Sequence, residues 1–291
     1  MALSPDFESF RAGFESGNNQ IVWTRLPADL DTPVSAMLKL AGAQRHAFML
    51  ESVTGGEVRG RYSIIGMNPD LVWECRGTSS RVNRAARWDD DAWEDLPGHP
   101  LDALRALLNE SRIALPPDLP PASAGLFGYL GYDMVRLVEN LPDNRPDPLG
   151  LPDAVLLRPT VVAVLDGVKG DVILVAPAWA RSGLSARAAY AQAAERVMDA
   201  RAALERGMPP VPRSYGEPRP APPPVSNFTK AGFIAAVERA KEYIRAGDIF
   251  QVVPAQRWTQ TFREPPFALY RSLRRTNPSP SCSSSISGNS R

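Results

Sequence analysis

The residues best suited to chemistry are few. Glu51 and Ser52 end an apolar run, Ala47-Phe-Met-Leu-Glu-Ser-Val53, just before the turn signal Gly55-Gly56. A carboxylate and a hydroxyl at one strand end can grip a ligand's ammonium group, and the same two groups can equally cap the strand end through local backbone bonds. Gly125, Gly128 and Gly131 have GxxGxxG spacing and are followed by Tyr-Asp-Met-Val rather than Lys-Ser/Thr. They therefore fit neither the dinucleotide fingerprint nor the phosphate loop, and read as points of close backbone packing. Asp89-Asp-Asp91, with Glu94 and Asp95, lacks the glycine and distal glutamate of a calcium loop and reads as a solvated acidic loop. His46 and His99 lie far apart, which leaves no HExxH zinc motif and no basis for a Ser/His/Asp arrangement. Cys75 and Cys282 give neither a disulfide framework nor a thiolate zinc site.

The elements that must position these groups belong to a chain of 291 residues, long enough for one large domain or two modest ones. With 33 Lys+Arg against 32 Asp+Glu, bulk electrostatic binding to nucleic acid or a membrane surface is disfavoured. The N-terminus is acidic and lacks signal-peptide regions. The most apolar run, residues 154–165, is interrupted by Arg158 and Pro159, so no membrane span is expected and the cytoplasm is the default location. Proline is in excess, 29 residues, about twice the usual ~5% share. Eight of the sixteen residues from Pro209 to Pro224 are proline, which predicts an extended, semi-rigid linker.

Before that linker the pattern predicts a helix over 33–40, a strand over 47–53, and short neighbouring strands over 60–66 and 71–75. It further predicts a helix over 100–109, a strand hairpin over 155–166 and 171–176, and an alanine-rich helix over 187–206. After the linker, Phe233, Val237, Ala240 and Ile244 mark one face of a helix with Thr229 as N-cap and Gly247 as C-cap, and Ile249-Phe-Gln-Val-Val253 reads as a strand. Hairpin-joined strands followed by helices indicate an α+β protein with largely antiparallel sheets.

Four segments together resemble the large, chorismate-using subunit of anthranilate synthase (component I). They are Leu50-Glu-Ser-Val with Gly60-Arg-Tyr-Ser-Ile-Ile-Gly66, and Gly125-Leu-Phe-Gly-Tyr-Leu-Gly-Tyr-Asp133. With them come Ala240-Lys-Glu-Tyr-Ile-Arg-Ala-Gly-Asp-Ile-Phe-Gln-Val-Val-Pro-Ala-Gln-Arg257, the most specific, and Asn277-Pro-Ser-Pro280. The resemblance implies two stacked antiparallel sheets with outer helices, incomplete at the C-terminus. It implies a glutamine amidotransferase partner subunit and feedback inhibition by tryptophan. It also implies a reaction in which ammonia attacks chorismate, water departs and pyruvate is eliminated with help from Mg2+. Gln251 stands where related isochorismate-forming enzymes carry a lysine; a glutamine cannot take up a proton at neutral pH, so it suits ammonia as nucleophile and would line the active site. Aminodeoxychorismate synthase is the nearest competitor, disfavoured by Val253-Pro254 and by Leu50-Glu51-Ser52. The family's tryptophan pocket carries over onto Leu50, Glu51, Ser52 and Pro280, whereas Ser281 and Cys282 replace an aromatic and a bulky apolar residue.

The expected organisation is an N-terminal tryptophan-sensing region at 1–208, a Pro-rich linker at 209–226, the start of the chorismate-binding domain at 227–280 and a Ser-rich tail at 281–291. Six of the tail's eleven residues are serine, where the family has a buried apolar strand. Codons compatible with the tail read, one base out of frame, as Phe-Leu-Phe-Phe-Phe-Asp-Phe-Gly-Gln-Leu-Gln, which resembles that strand. The tail is thus expected to be a frameshifted product, the alternative being a natural short form. On either account no catalytic residue and no metal ligand is expected within this chain. The Mg2+-binding glutamates would lie beyond Arg291, and the chain as written would be inactive. A non-catalytic module binding tryptophan or the amidotransferase subunit is the alternative function.

Overall fold

A computed structural model describes residues 2–42, 44–51, 60–142, 146–210, 222–278 and 282–286. They fall into two compact units, one built from residues 1–210 and 266–291, the other from 211–265. In chain order the first carries α1 (Phe7–Glu15), β1 (Gln20–Pro27), α2 (Pro33–Leu40), β2 (Ala47–Glu51), β3 (Tyr62–Arg76), β4 (Ser79–Asn83), β5 (Trp93–Leu96) and α3 (Pro100–Glu110). It continues with β6 (Phe127–Leu130), β7 (Ala154–Asp166), β8 (Asp171–Ala178) and α4 (Ala186–Glu205). The smaller unit follows with β9 (Val225–Ser226), α5 (Lys230–Ala246) and β10 (Trp258–Thr259). The chain then returns to the first unit with α6 (Pro266–Thr276) and β11 (Cys282–Ile286).

The larger unit is organised by one nine-stranded sheet, in the order β1-β8-β7-β3-β2-β11, with β4 and β5 added beside β3 and β6 beside β7. Every pairing in it is antiparallel. The α+β antiparallel class holds, with this continuous sheet where the resemblance implies a stacked pair. The predicted strands 60–66 and 71–75 are one strand, β3, and not neighbours. Both segments pair with β7, and the ladder slips only between Pro69 and Leu71. Proline, which has no N–H to donate, is tolerated at such a bulge.

Strand periodicity of two divides the core between the two faces of the sheet. Val22, Leu174, Ala176, Ala163 and Leu165 meet the helices α1, α2 and α4, while Ile21, Ile173, Val175, Val162 and Val164 form a separate cluster with Leu119. Helix α4 lies on the sheet through Ala186, Ala189, Ala193, Val197, Ala200 and Leu204, spaced three and four apart. Helix α2 starts as its sequence predicts. Thr32 accepts from the Ser35 N–H at 3.1 Å, the Ser35 hydroxyl accepts from the Thr32 N–H at 2.8 Å, and proline occupies the first turn.

The glycine trio has a steric explanation. A Cβ on Gly128 would collide with the Val155 carbonyl, and one on Gly131 would sit 2.8 Å from the Asp153 oxygen. These two glycines let β6 lie directly against β7. Gly125 has open space around it and a φ of +142°, a conformation that side chains disfavour.

In the smaller unit α5 has Thr229 as N-cap, accepting from Gly232 at 3.1 Å, and a left-handed Gly247 as C-cap at φ 82°. The strand expected at 249–253 does not form. Among the described residues no segment pairs with it, and an extended run becomes a strand only through a ladder. The Ser-rich tail, by contrast, is a strand over 282–286, paired with β2. Residues 266–278 and 282–286 therefore belong to the first unit.

Candidate functional site

The predicted site residues Leu50 and Glu51 close strand β2. Ala47, Phe48 and Met49 are buried before them, Leu50 is partly exposed, and the Glu51 side chain is 1% exposed. A carboxylate that far from water requires partners. They come from α6, which the sequence reading missed. Its Phe267 and Tyr270 share one face, stack at 5.4 Å between ring centroids and are buried. Arg274 follows one turn later on that face.

Arg274 grips Glu51 at two points, Nε to Oε2 and Nη2 to Oε1, both 2.7 Å. The Tyr270 hydroxyl donates to Oε2 at 2.5 Å. Burial, reinforced by that bond to a carboxylate, drives the phenol's pKa far upward, so Tyr270 stays a donor. The bond to Glu51 raises the pKa of the Arg274 guanidinium in turn. The carboxylate that the sequence offers to a ligand's ammonium is thus held by the protein's own cation. The only sequence signal for these partners is the i, i+3, i+7 spacing of Phe267, Tyr270 and Arg274, obscured by arginines at 271 and 275.

Strand β11 completes this edge. Cys282 stands opposite Glu51 and Ser283 opposite Leu50, so the segment that follows Pro280 is brought beside Leu50-Glu51. Ser52 and Pro280 themselves lie outside the described residues. A cavity of about 640 Å³ adjoins, lined by Thr32 and Val34 at the start of α2 and by Arg271, Arg274, Arg275 and Thr276. Three guanidiniums, one already committed to Glu51, make it a place for an acid group.

The other candidates lie apart from this edge. Gln251 is exposed on an irregular stretch of the smaller unit. His99 caps α3, its Nδ1 accepting from the Leu101 N–H at 3.3 Å. His46 Nε2 lies 3.2 Å from Asp90, which Arg45 also holds at 2.6 Å. Asp89 accepts from the Asp91 N–H at 2.9 Å, closing a tight local turn. Among the described residues no three His, Cys, Asp or Glu side chains are placed together to hold a metal ion. Among them, too, no helix is long and apolar enough to cross a membrane.

The family model for chorismate binding enzymes matches residues 57–289, most of the chain. The chain belongs to the chorismate binding enzyme family. Its curated relatives include anthranilate synthase component 1 of Cereibacter sphaeroides, 70% identical over 274 residues that cover 94% of this chain and 55% of that protein. The protein of the same name from Thermus thermophilus is 40% identical over 257 residues, covering 87% and 50%. Among solved structures, anthranilate synthase component I from Streptococcus pneumoniae superposes with a TM-score of 0.59 at 25% identity, over 87% of this chain and 52% of that one. The chain spans about half the length of the curated relatives it matches. Within this chorismate binding enzyme, the match runs from the end of the β2–β3 connection through α6 and β11.

Proposed function

We propose that this chain is part of the large subunit of anthranilate synthase, the lyase that turns chorismate and ammonia into anthranilate and pyruvate for tryptophan biosynthesis. The observation that carries this is the 70% identity with the Cereibacter sphaeroides protein of that name over 94% of the chain. On this reading a glutamine amidotransferase subunit supplies the ammonia and the protein works in the cytoplasm. Magnesium is held by residues that the described part does not contain. Gln251, unable to act as a base, lines the active site without taking a proton.

The same reading makes Leu50, Glu51, Ser52 and Pro280 a tryptophan site for feedback inhibition. The meeting of β2 with β11 and the basic cavity beside Arg274 support it. A zwitterionic ligand would exchange the Glu51–Arg274 contact for its own, ammonium to the carboxylate and carboxylate to a guanidinium. Calorimetric titration of the chain with tryptophan tests this. Saturable heat supports the sensor, and no heat at millimolar ligand removes it.

Activity is tested apart from binding. The chain is mixed with chorismate, ammonium and Mg2+, and anthranilate fluorescence is followed. No product is expected from this chain, which covers only 55% of its Cereibacter sphaeroides relative. Formation of anthranilate would overturn the inactive reading. Tryptophan binding without turnover would favour the second reading, a non-catalytic tryptophan-binding fragment.

A further inference from the structure

A second cavity, of about 650 Å³, lies on the larger unit away from Glu51, between the β3 bulge, the segment after β4, the end of β8 and one side of α4. Its floor is an ionic lattice that is internally complete. Buried Arg158 donates to both oxygens of Asp70 at 2.8 and 3.0 Å and to Glu110 at 3.0 Å, and its guanidinium lies over the Trp179 ring at 4.4 Å. Arg84 takes both oxygens of Glu110 at 2.8 Å. Each carboxylate oxygen of Asp70 and Glu110 therefore already accepts from a guanidinium.

Three further guanidiniums line the same cavity: Arg87, Arg181 and Arg196. Among the described residues none of the three has a carboxylate within ion-pair distance. Arg196 is the most constrained. Its Nε donates to the Gln192 carbonyl at 3.1 Å and its Nη2 to the Pro177 carbonyl at 3.2 Å, which orients the fork and leaves three N–H groups unused. Arg87 lies over the Trp88 ring at 4.6 Å. Burial depresses the Arg196 pKa most, and the charges of Arg87 and Arg181 depress it further against the opposing fields of Asp70 and Glu195. The carboxylates left over, Glu195 and Asp199, are exposed on α4 and bound to none of the three.

A half-buried cation with no carboxylate in ion-pair contact, in the field of two more cations, gains from an anion that joins it. Guanidiniums set by stacking and by backbone carbonyls are matched to an acceptor with several oxygens. We propose that this cavity binds a small dianion, with phosphate-type or dicarboxylate oxygens bridging Arg87, Arg181 and Arg196. Nothing in the proposed chorismate chemistry or the Glu51 site uses these residues.

The test is calorimetric titration of the whole chain with inorganic phosphate and, separately, with malonate, at ionic strength held constant by chloride. One-site saturation by either anion is expected; phosphate alone points to a phosphate ester as ligand, malonate alone to a dicarboxylate. Arg196→Gln should weaken binding by about tenfold or more. The double variant Arg87→Gln/Arg181→Gln alters only exposed side chains and so keeps the fold, and it should weaken binding at least as much. Absence of saturable binding by both anions, or binding by the double variant at unchanged affinity, would overturn the proposal.

Discussion

Glu51 and Arg274 stand 223 positions apart in the chain and form one two-point ion pair, with Tyr270 as third donor. The pair is asymmetric in exposure, 1% for the carboxylate and 30% for the guanidinium. Breaking it from either side strands a charge, and the stranded carboxylate is the worse placed.

Arg274→Met should therefore destabilise the larger unit by about 3 kcal/mol or more. Tyr270→Phe, which removes one bond to a charged acceptor, should cost about 1.5–3 kcal/mol. In a double-mutant cycle by urea unfolding, Glu51→Gln and Arg274→Met should be strongly non-additive. A coupling near zero would show that the pair does not form in solution.

Asp166 provides the acid sensitivity. The Arg61 guanidinium binds its two oxygens at 2.9 and 2.5 Å, and the N–H groups of Val168 and Lys169 add two bonds, which lowers its pKa from 3.8 to about 2. A depressed carboxyl stabilises the fold fully above its unfolded pKa and ceases to do so as pH falls through the folded value. The contribution, about 2 kcal/mol at neutral pH, should thus disappear between about pH 4 and pH 2. Asp166→Asn should lower stability at pH 7 and flatten the pH profile in that window, as read from urea midpoints.

Gly128→Ala tests the close approach of β6 to β7. The added methyl meets backbone, which cannot rotate away, so a loss of about 1–3 kcal/mol is expected. Gly77→Ala is the control: open space surrounds it and only its φ of 53° resists, so about 1 kcal/mol is expected. Equal losses in thermal melts would refute the steric account.

The two thiols should differ in reactivity. Cys75 is fully buried, and burial, aided by Asp153 and Glu74, raises its pKa to about 11. Cys282 is only partly buried on β11. A disulfide reagent at pH 8 should modify Cys282 first, and Cys75 only at the rate at which the larger unit opens. Equal rates in the native state would contradict the packing around Cys75.

The sequence announced what is local and hid what is distant. Thr32-Pro33, Thr229 and Gly247 carry their capping chemistry in the residue type, so α2 and α5 were legible to within a residue or two. The hairpin of β7 and β8 was legible because a short turn joins two apolar runs. Residues 249–253 misled, since strand propensity says nothing about whether a neighbour exists to complete the ladder. At 282–286 the reverse held: β2 offers an edge of unpaired backbone groups, and main-chain bonds pair serines there without apolar side chains. Glu51 stands out in the sequence as a polar group ending an apolar run, but Tyr270 and Arg274 can be matched to it only in three dimensions.

The sheet order also sets a clock. Strand β1 is made early, yet among the described strands the one that ladders with it is β8, roughly 150 residues downstream. At a synthesis rate of about 5–20 residues per second, its unpaired edge waits roughly 10–30 s for that partner. Glu51 waits longer still, because Arg274 follows 223 positions later. During translation, then, the edge of the half-made sheet stays open to pairing with foreign strands until its own partners are made.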